Sequence, residues 1–347
     1  MQQDIILTVD YHDQKCSVRW LNRATDRRRV LTIATHPEAI GEMVDEAAAE
    51  AKAQGGQVVW IQESTTGWAR VRGLLAGRAV FHLSNTAQMP QSPRGRRRKT
   101  DKTDTARMQR EYLNGELPLS YQPPEAERQL RRLVAFRENL VARRTALRNW
   151  INRYLAHELW ADRVGLWSQK GRRRLQALTE LLPRTDAWII GQKLAEHDLI
   201  DGQLAAVGRE LLEVHRQSPH AQRVDAIKGI GMVAAVSIVA RIGPVSRFRN
   251  AEQLIGYAGL APGLHESDGT RRDGPIGGGS TDRRLRHYLL EASVWARQLP
   301  RYRDTYARLA KRRGPKIGRL QVARMLLRSI YKMLRDGVAF TPGTTIN

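Results

Sequence analysis

Ile5-Ile6-Leu7-Thr8-Val9-Asp10 and, further on, Val58-Val59-Trp60-Ile61-Gln62-Glu63 are the plainest strand signals in the chain. Each is a short apolar run rich in β-branched residues, the pattern of a buried strand, and each closes on a carboxylate. Between them Cys16 to Trp20 alternates and Arg29 to Ala34 reads as a third strand. Pro37 to Gln54 is an Ala/Glu-rich helix that Gly55-Gly56 stops. A helix near Trp68 to Ala76 and a strand near Ala79 to Leu83 follow. An acid closing the most apolar strand costs desolvation unless it is paired, so Asp10 stands out from an ordinary surface charge.

Three strands, helix, strand, helix, strand is the order of an α/β RNase H-like sheet. Residues 84–99 are rich in Pro, Ser and Arg and read as a loop before a helix that begins near Asp101. From Glu125 the pattern becomes long helix. Leu133, Leu140, Leu147 and Tyr154 recur every seven residues, and Ile200, Leu204, Val207, Leu211 and Val214 are spaced 4-3-4-3. The two runs predict an antiparallel coiled-coil hairpin interrupted over Gly165 to Pro183. Residues 222–340 read as all-helical. There Lys228-Gly229-Ile230-Gly231 has the turn of a helix-hairpin-helix, whose second helix opens with free N–H groups able to hold a phosphate.

Charge separates these regions. The 347 residues carry 58 Lys+Arg and 35 Asp+Glu, a formal net charge of +23, and 48 of the cations are Arg. Residues 1–90 are neutral overall, whereas 221–347 carry a net +14. A balance of this kind points to a polyanion, nucleic acid first, with the C-terminal third as the main contact. One cysteine, Cys16, excludes an internal disulfide framework and a Cys-based zinc ribbon. The longest largely apolar run, Met232 to Ala240 with Ser237 inside it, is far short of the roughly 20 residues of a bilayer span, so no membrane helix is expected. The opening residues lack the basic and apolar regions of a signal peptide, which predicts a cytoplasmic, nucleoid-associated protein.

Four carboxylates have the placement that metal-dependent phosphoryl transfer needs: Asp10, Glu63, and Asp101 and Asp104 three apart on one helical face. Such acids repel one another unless a hard cation neutralises them, which suits Mg²⁺, with Mn²⁺ as an alternative. Asp101 and Asp104 each follow a threonine, which also fits helix capping. In His265-Glu266-Ser267-Asp268-Gly269-Thr270-Arg271-Arg272, Ser267 fits either a nucleophile towards a phosphodiester or a loop serine beside phosphate-binding arginines. Ser280 is its rival, or a cap for the helix near Asp282. With Lys228, Gly229 and Gly231, the arginines 271, 272, 283 and 284 complete the candidate nucleic-acid contacts.

The order strand-Asp10, Gln62-Glu63-Ser64-Thr65-Thr66-Gly67, Lys99 to Arg107, Gly229-Ile230-Gly231, Tyr257 to Pro262, Glu266-Ser267 and Leu285-Arg286 resembles the DEDD transposases of IS-one-ten-type insertion sequences, relatives of the Piv invertase. The resemblance implies a RuvC-like (RNase H fold) domain over residues 1–115 with Asp10, Glu63, Asp101 and Asp104 as its metal-binding tetrad. It implies a helical coiled-coil segment over 116–220 and a C-terminal transposase domain over 221–347 with Ser267 as nucleophile. It further implies a phosphoserine intermediate, a guide (bridge) RNA that pairs with donor and target DNA, and homodimers or tetramers. Against this stand a metal-only, junction-resolvase-like nuclease, in which water attacks, and an architectural nucleic-acid-binding protein, which the four acids oppose.

Overall fold

The computed structural model describes residues 3–89, 101–157, 165–267, 270–276 and 281–343, without the side chains of 101–103, 262–267 and 270–276. The chain divides into two compact units, Met1–Gln122 and Pro123–Asn347.

The first unit runs β1 (Ile5–Tyr11), β2 (Lys15–Asn22), β3 (Arg28–Ala34), α1 (Pro37–Ala53), β4 (Val58–Glu63), α2 (Trp68–Leu74), β5 (Val80–Ser84) and α3 (Asp101–Leu113). Its elements come in the expected order. The five strands form one sheet in the order β3-β2-β1-β4-β5. The meander β1–β3 is antiparallel, and β4 and β5 continue the sheet parallel to β1. β1 and β4 are central, which is why their runs are continuously apolar: Ile5, Leu7 and Val9 face one layer and Ile6 the other. On the first face Ile40, Val44, Ala47 and Ala51 of α1 pack with Val18, Trp20 and Trp60. On the second, Met108 of α3 packs on Ile6, Leu21, Val59 and Ile61. Cys16 is buried on the first face with Sγ 3.3 Å from the Thr35 hydroxyl, and burial pushes its thiol pKa up.

The second unit opens with α4 (Glu125–His157), α5 (Gln169–Glu180) and α6 (Arg184–Gln217). α4 and α6 pair antiparallel along the heptad positions. Val134 packs with Leu211, Leu140 and Leu147 with Ile200 and Val207, and Ile151 and Leu155 with Ile190 and Leu194. α5, capped by Ser168, fills the stretch expected to interrupt the hairpin and closes its end through Leu166 and Leu175. Then come α7 (Pro219–Asp225), α8 (Met232–Ile242), α9 (Ala251–Tyr257), β6 (Pro262–Ser267), β7 (Thr270–Ile276), α10 (Arg283–Ala296), α11 (Pro300–Arg313) and α12 (Pro315–Asp336). α12 is the centre of their shared core, contributing Val322, Ala323, Leu326, Leu327 and Ile330.

The expectation of an all-α C-terminal region is corrected here, because β6 and β7 form an antiparallel hairpin. The stretch cannot sustain a helix: Pro262, Gly263, Gly269, Gly274 and Pro275 each penalise one. Ser267 pairs with Thr270 across the hairpin, and the Asp-Gly dipeptide between them in the sequence favours a tight turn. Among the described residues no helix is long and apolar enough to cross a membrane.

Candidate active site

β1 and β4 run parallel with Val9 opposite Gln62, so the next pair at their C-terminal ends is Asp10 and Glu63. Side chains alternate along a strand, which puts Asp10 with Ile6 and Thr8, and Glu63 with Val59 and Ile61, on the face that α3 covers. Asp10 is 8% exposed, and its Oδ2 lies 3.2 Å from Nε2 of the exposed His12. Glu63 accepts a short hydrogen bond from the Thr86 hydroxyl. The loop after β4 is held beside the end of β1. Gly67 sits at φ +90°, and a Cβ there would meet the Tyr11 ring at 3.0 Å, so the loop approaches Tyr11 as closely as a glycine allows.

α3 brings the third acid. Asp104 lies one turn before the sheet-facing Met108 and is half-buried, on the same side of the helix. Asp101 opens α3, and its side chain lies outside the described residues. Among the described residues no group of three or more His, Cys, Asp or Glu side chains is gathered closely enough to hold a metal ion. The structure sets Asp10 and Glu63 at adjacent strand ends and puts Asp104 on the side of α3 that carries Met108, without gathering three of these groups. Two buried hydroxyls there, Thr8 Oγ1 two residues before Asp10 and Ser84 Oγ on the residue paired with Glu63, have no hydrogen-bond partner among the described residues. Orphaned hydroxyls beside all-oxygen donors fit a hydrated hard cation. His12 and Thr86 escaped the sequence reading. His12 lies two residues after Asp10, a hint of proximity, whereas Thr86 is 23 positions from Glu63 and gave none.

The second unit carries the other candidates. Ser267 ends β6 at the tip of the hairpin, and Arg271 and Arg272 stand opposite Glu266 and His265 in β7. Ser280 lies outside the described residues, and the cap of α10 is Asp282, which accepts from the N–H groups of Arg284 and Leu285. Asp282 also takes two hydrogen bonds from the half-buried Arg241 guanidinium at 3.0 and 3.2 Å. Lys228, Gly229 and Gly231 do gather at one turn. Gly229 has φ +96°, Gly231 caps α8, and Lys228 is exposed. Arg283 is exposed as well, while Arg284 pairs with Glu138 of α4 at 3.0 Å.

An α/β unit with acids at adjacent strand ends, joined in sequence to a basic helical unit bearing a serine hairpin, defines a class of nucleic-acid-processing protein. Residues 7–158, which take in Asp10, Glu63, Asp101 and Asp104, match a DEDD-type family described as "Transposase". Residues 221–307, which take in Lys228 to Gly231 and Ser267, match the "Transposase IS116/IS110/IS902 family". Over both stretches the chain is similar to the IS110-type DEDD transposases. It is 26% identical over 215 residues to a putative transposase, y4qE, of Sinorhizobium fredii, covering 61% of this chain and 52% of that one. It is 26% identical over 221 residues to a probable family 20 transposase of Pseudomonas aeruginosa, covering 60% and 63%. It is 28% identical over 143 residues to the transposase for insertion sequence element IS1111A of Coxiella burnetii, covering 39% and 38%. The chain thus spans about half to two thirds of the first two relatives.

Proposed function

We propose that the chain is a DNA transposase that cuts and rejoins strands, with a RuvC-like RNase H fold in its first unit and a helix-hairpin-helix-like turn at Lys228–Gly231 in its second. The observation that carries this reading is the placement of Asp10 and Glu63 at neighbouring strand ends on the face α3 covers. Asp10, Glu63, Asp104 and Asp101 would hold the divalent metal, Mg²⁺ or Mn²⁺. When bound it supplies Lewis-acid stabilisation of the phosphoryl oxygens.

The chain's own residues then divide the work. Ser267 Oγ bonds to phosphorus as the bond from phosphorus to the leaving deoxyribose oxygen breaks. The serine proton leaves to solvent and the departing oxygen takes one up. In rejoining, a strand hydroxyl attacks the phosphoserine and Ser267 regains its proton. One phosphoester bond is exchanged for another at each step, so no outside energy source is needed. Arg271 and Arg272, together with Lys228, Arg283 and Arg284, neutralise phosphates. A guide RNA supplies target choice by base pairing. Dimers and tetramers assemble through the α4–α6 hairpin, where Trp188 and Leu199 are 66% and 63% exposed. The protein works in the cytoplasm, at the nucleoid. The domain limits 1–115, 116–220 and 221–347 remain part of this reading.

Two substitutions test it on purified full-length protein with Mg²⁺ and donor and target DNA. Ser267→Ala abolishes both joining and the covalent protein–DNA adduct, and Asp10→Ala abolishes strand cutting. A Ser267→Ala protein that still cuts would make water the nucleophile and the chain a metal-only nuclease. Sequencing the RNA that copurifies from cells carrying the flanking DNA tests the guide. A discrete structured RNA supports it, and heterogeneous cellular RNA counts against it.

A further inference from the structure

Between Asp304 and Asp336 the chain contains no acidic residue, yet it carries ten cations: Arg308, Lys311, Arg312, Arg313, Lys316, Arg319, Arg324, Arg328, Lys332 and Arg335. The last four include structural ones. Arg324 Nε donates to the Leu260 carbonyl at 2.8 Å, Arg328 pairs with Glu252, and Arg335 pairs with Asp336. The first six differ. Arg308, Lys311, Arg312, Arg313 and Lys316 are exposed and Arg319 is half-exposed, and none of the six has a side-chain partner among the described residues.

All six cluster at one bend. α11 ends at Arg313, the single residue Gly314 (φ +88°) turns the chain, and Pro315 starts α12. Gly318 closes the bend against the Tyr306 ring, where a Cβ would approach to 2.9 Å. The like charges are therefore held together on a rigid corner. That arrangement costs repulsion with no compensating side-chain contact among the described residues, and a polyanion relieves it. Most of this corner lies beyond the stretch that matches the transposase family, which ends at residue 307.

We propose that the α11–α12 bend grips the sugar–phosphate backbone of duplex DNA. DNA is favoured because the same α12 is bolted to the strand bearing Ser267. The Arg324 contact to Leu260 lies two residues before β6, and α12 shares one core with α8, α9 and α10. A backbone held at the bend is thereby held by the scaffold of the serine hairpin. The choice of DNA rests on the function proposed above.

The test is equilibrium binding of full-length protein to a short mixed-sequence DNA duplex over a salt series. Each phosphate contact contributes about 0.9 to the slope of log affinity against log salt. The variant Lys311→Gln/Arg312→Gln/Arg313→Gln/Lys316→Gln should lower that slope by about 3 to 4, and Arg308→Gln/Arg319→Gln by about 2. A control, Arg27→Gln/Lys52→Gln/Arg72→Gln in the first unit, should leave it unchanged. An unchanged slope in both bend variants, or an equal fall in the control, overturns the proposal. A fall confined to an RNA hairpin probe overturns the assignment to DNA. The readout needs no catalysis. Wild-type protein that joins strands while the slopes stay fixed sinks only this inference, and shifted slopes without joining sink only the function above.

Discussion

At the scale of single residues, the buried polar groups set the measurable consequences. His197 is 2% exposed in the α4–α6 hairpin, stacked on Trp167 at 4.6 Å. Arg148 Nε donates to its Nε2 at 2.9 Å, so the ring proton sits on Nδ1, towards Asp198 and Asp201. Burial is the main cause that lowers its pKa below the ordinary 6.5, opposed by the two aspartates. A histidine with a lowered folded pKa contributes stability that is present above about 6.5 and is lost as pH falls through the folded value. His82, also lowered by burial, has the same sign. The thermal midpoint should therefore drop between pH 7.5 and 5.5, and His197→Gln should flatten part of that slope. An unchanged slope would remove His197 from the account. Gly229 is the other sharp case. At φ +96°, with a built Cβ 2.6 Å from Trp295 Cβ, Gly229→Ala meets both backbone strain and a clash. We expect a loss of about 2–4 kcal/mol in denaturant unfolding followed by tryptophan fluorescence.

Among the elements, α10 shows how one cap carries more than its helix. Asp282 caps α10 and also neutralises Arg241, whose side chain is 13% exposed. Asp282→Ala removes the cap and strands a half-buried guanidinium, for an expected loss of about 3–5 kcal/mol. Asp282→Asn keeps a capping oxygen and should cost distinctly less. Equal costs for the two would show that the charge, not the cap, dominates. An Asp before an apolar helical run is a capping signal legible in sequence, but its partner Arg241 lies 41 residues away, and no local pattern joins them. The β6–β7 hairpin teaches the same lesson. Its Asp-Gly dipeptide and its prolines are local signals, but the pairing of β6 with β7 joins residues up to 14 positions apart and follows from no single window.

For the molecule as a whole, the two units differ in kind. The first buries its own complete core on both faces of one sheet. A fragment of residues 1–122 should accordingly unfold in a single cooperative thermal transition, and a gradual loss of circular dichroism signal would refute that. By itself the sequence determined the order of strands and helices in this unit, the heptad pairing of α4 and α6, and the concentration of positive charge in the last third. Those follow from period, propensity and composition, which are local properties of the chain. Only the tertiary structure decided that Asp10 and Glu63 stand at adjacent strand ends. It alone put Asp104 on the side of α3 that carries Met108, tied Arg284 to Glu138, and left the six cations at the α11–α12 bend without a side-chain partner among the described residues. Each of these depends on which distant segments meet, and strand register and helix packing are settled by burial across the whole unit rather than by any window of residues.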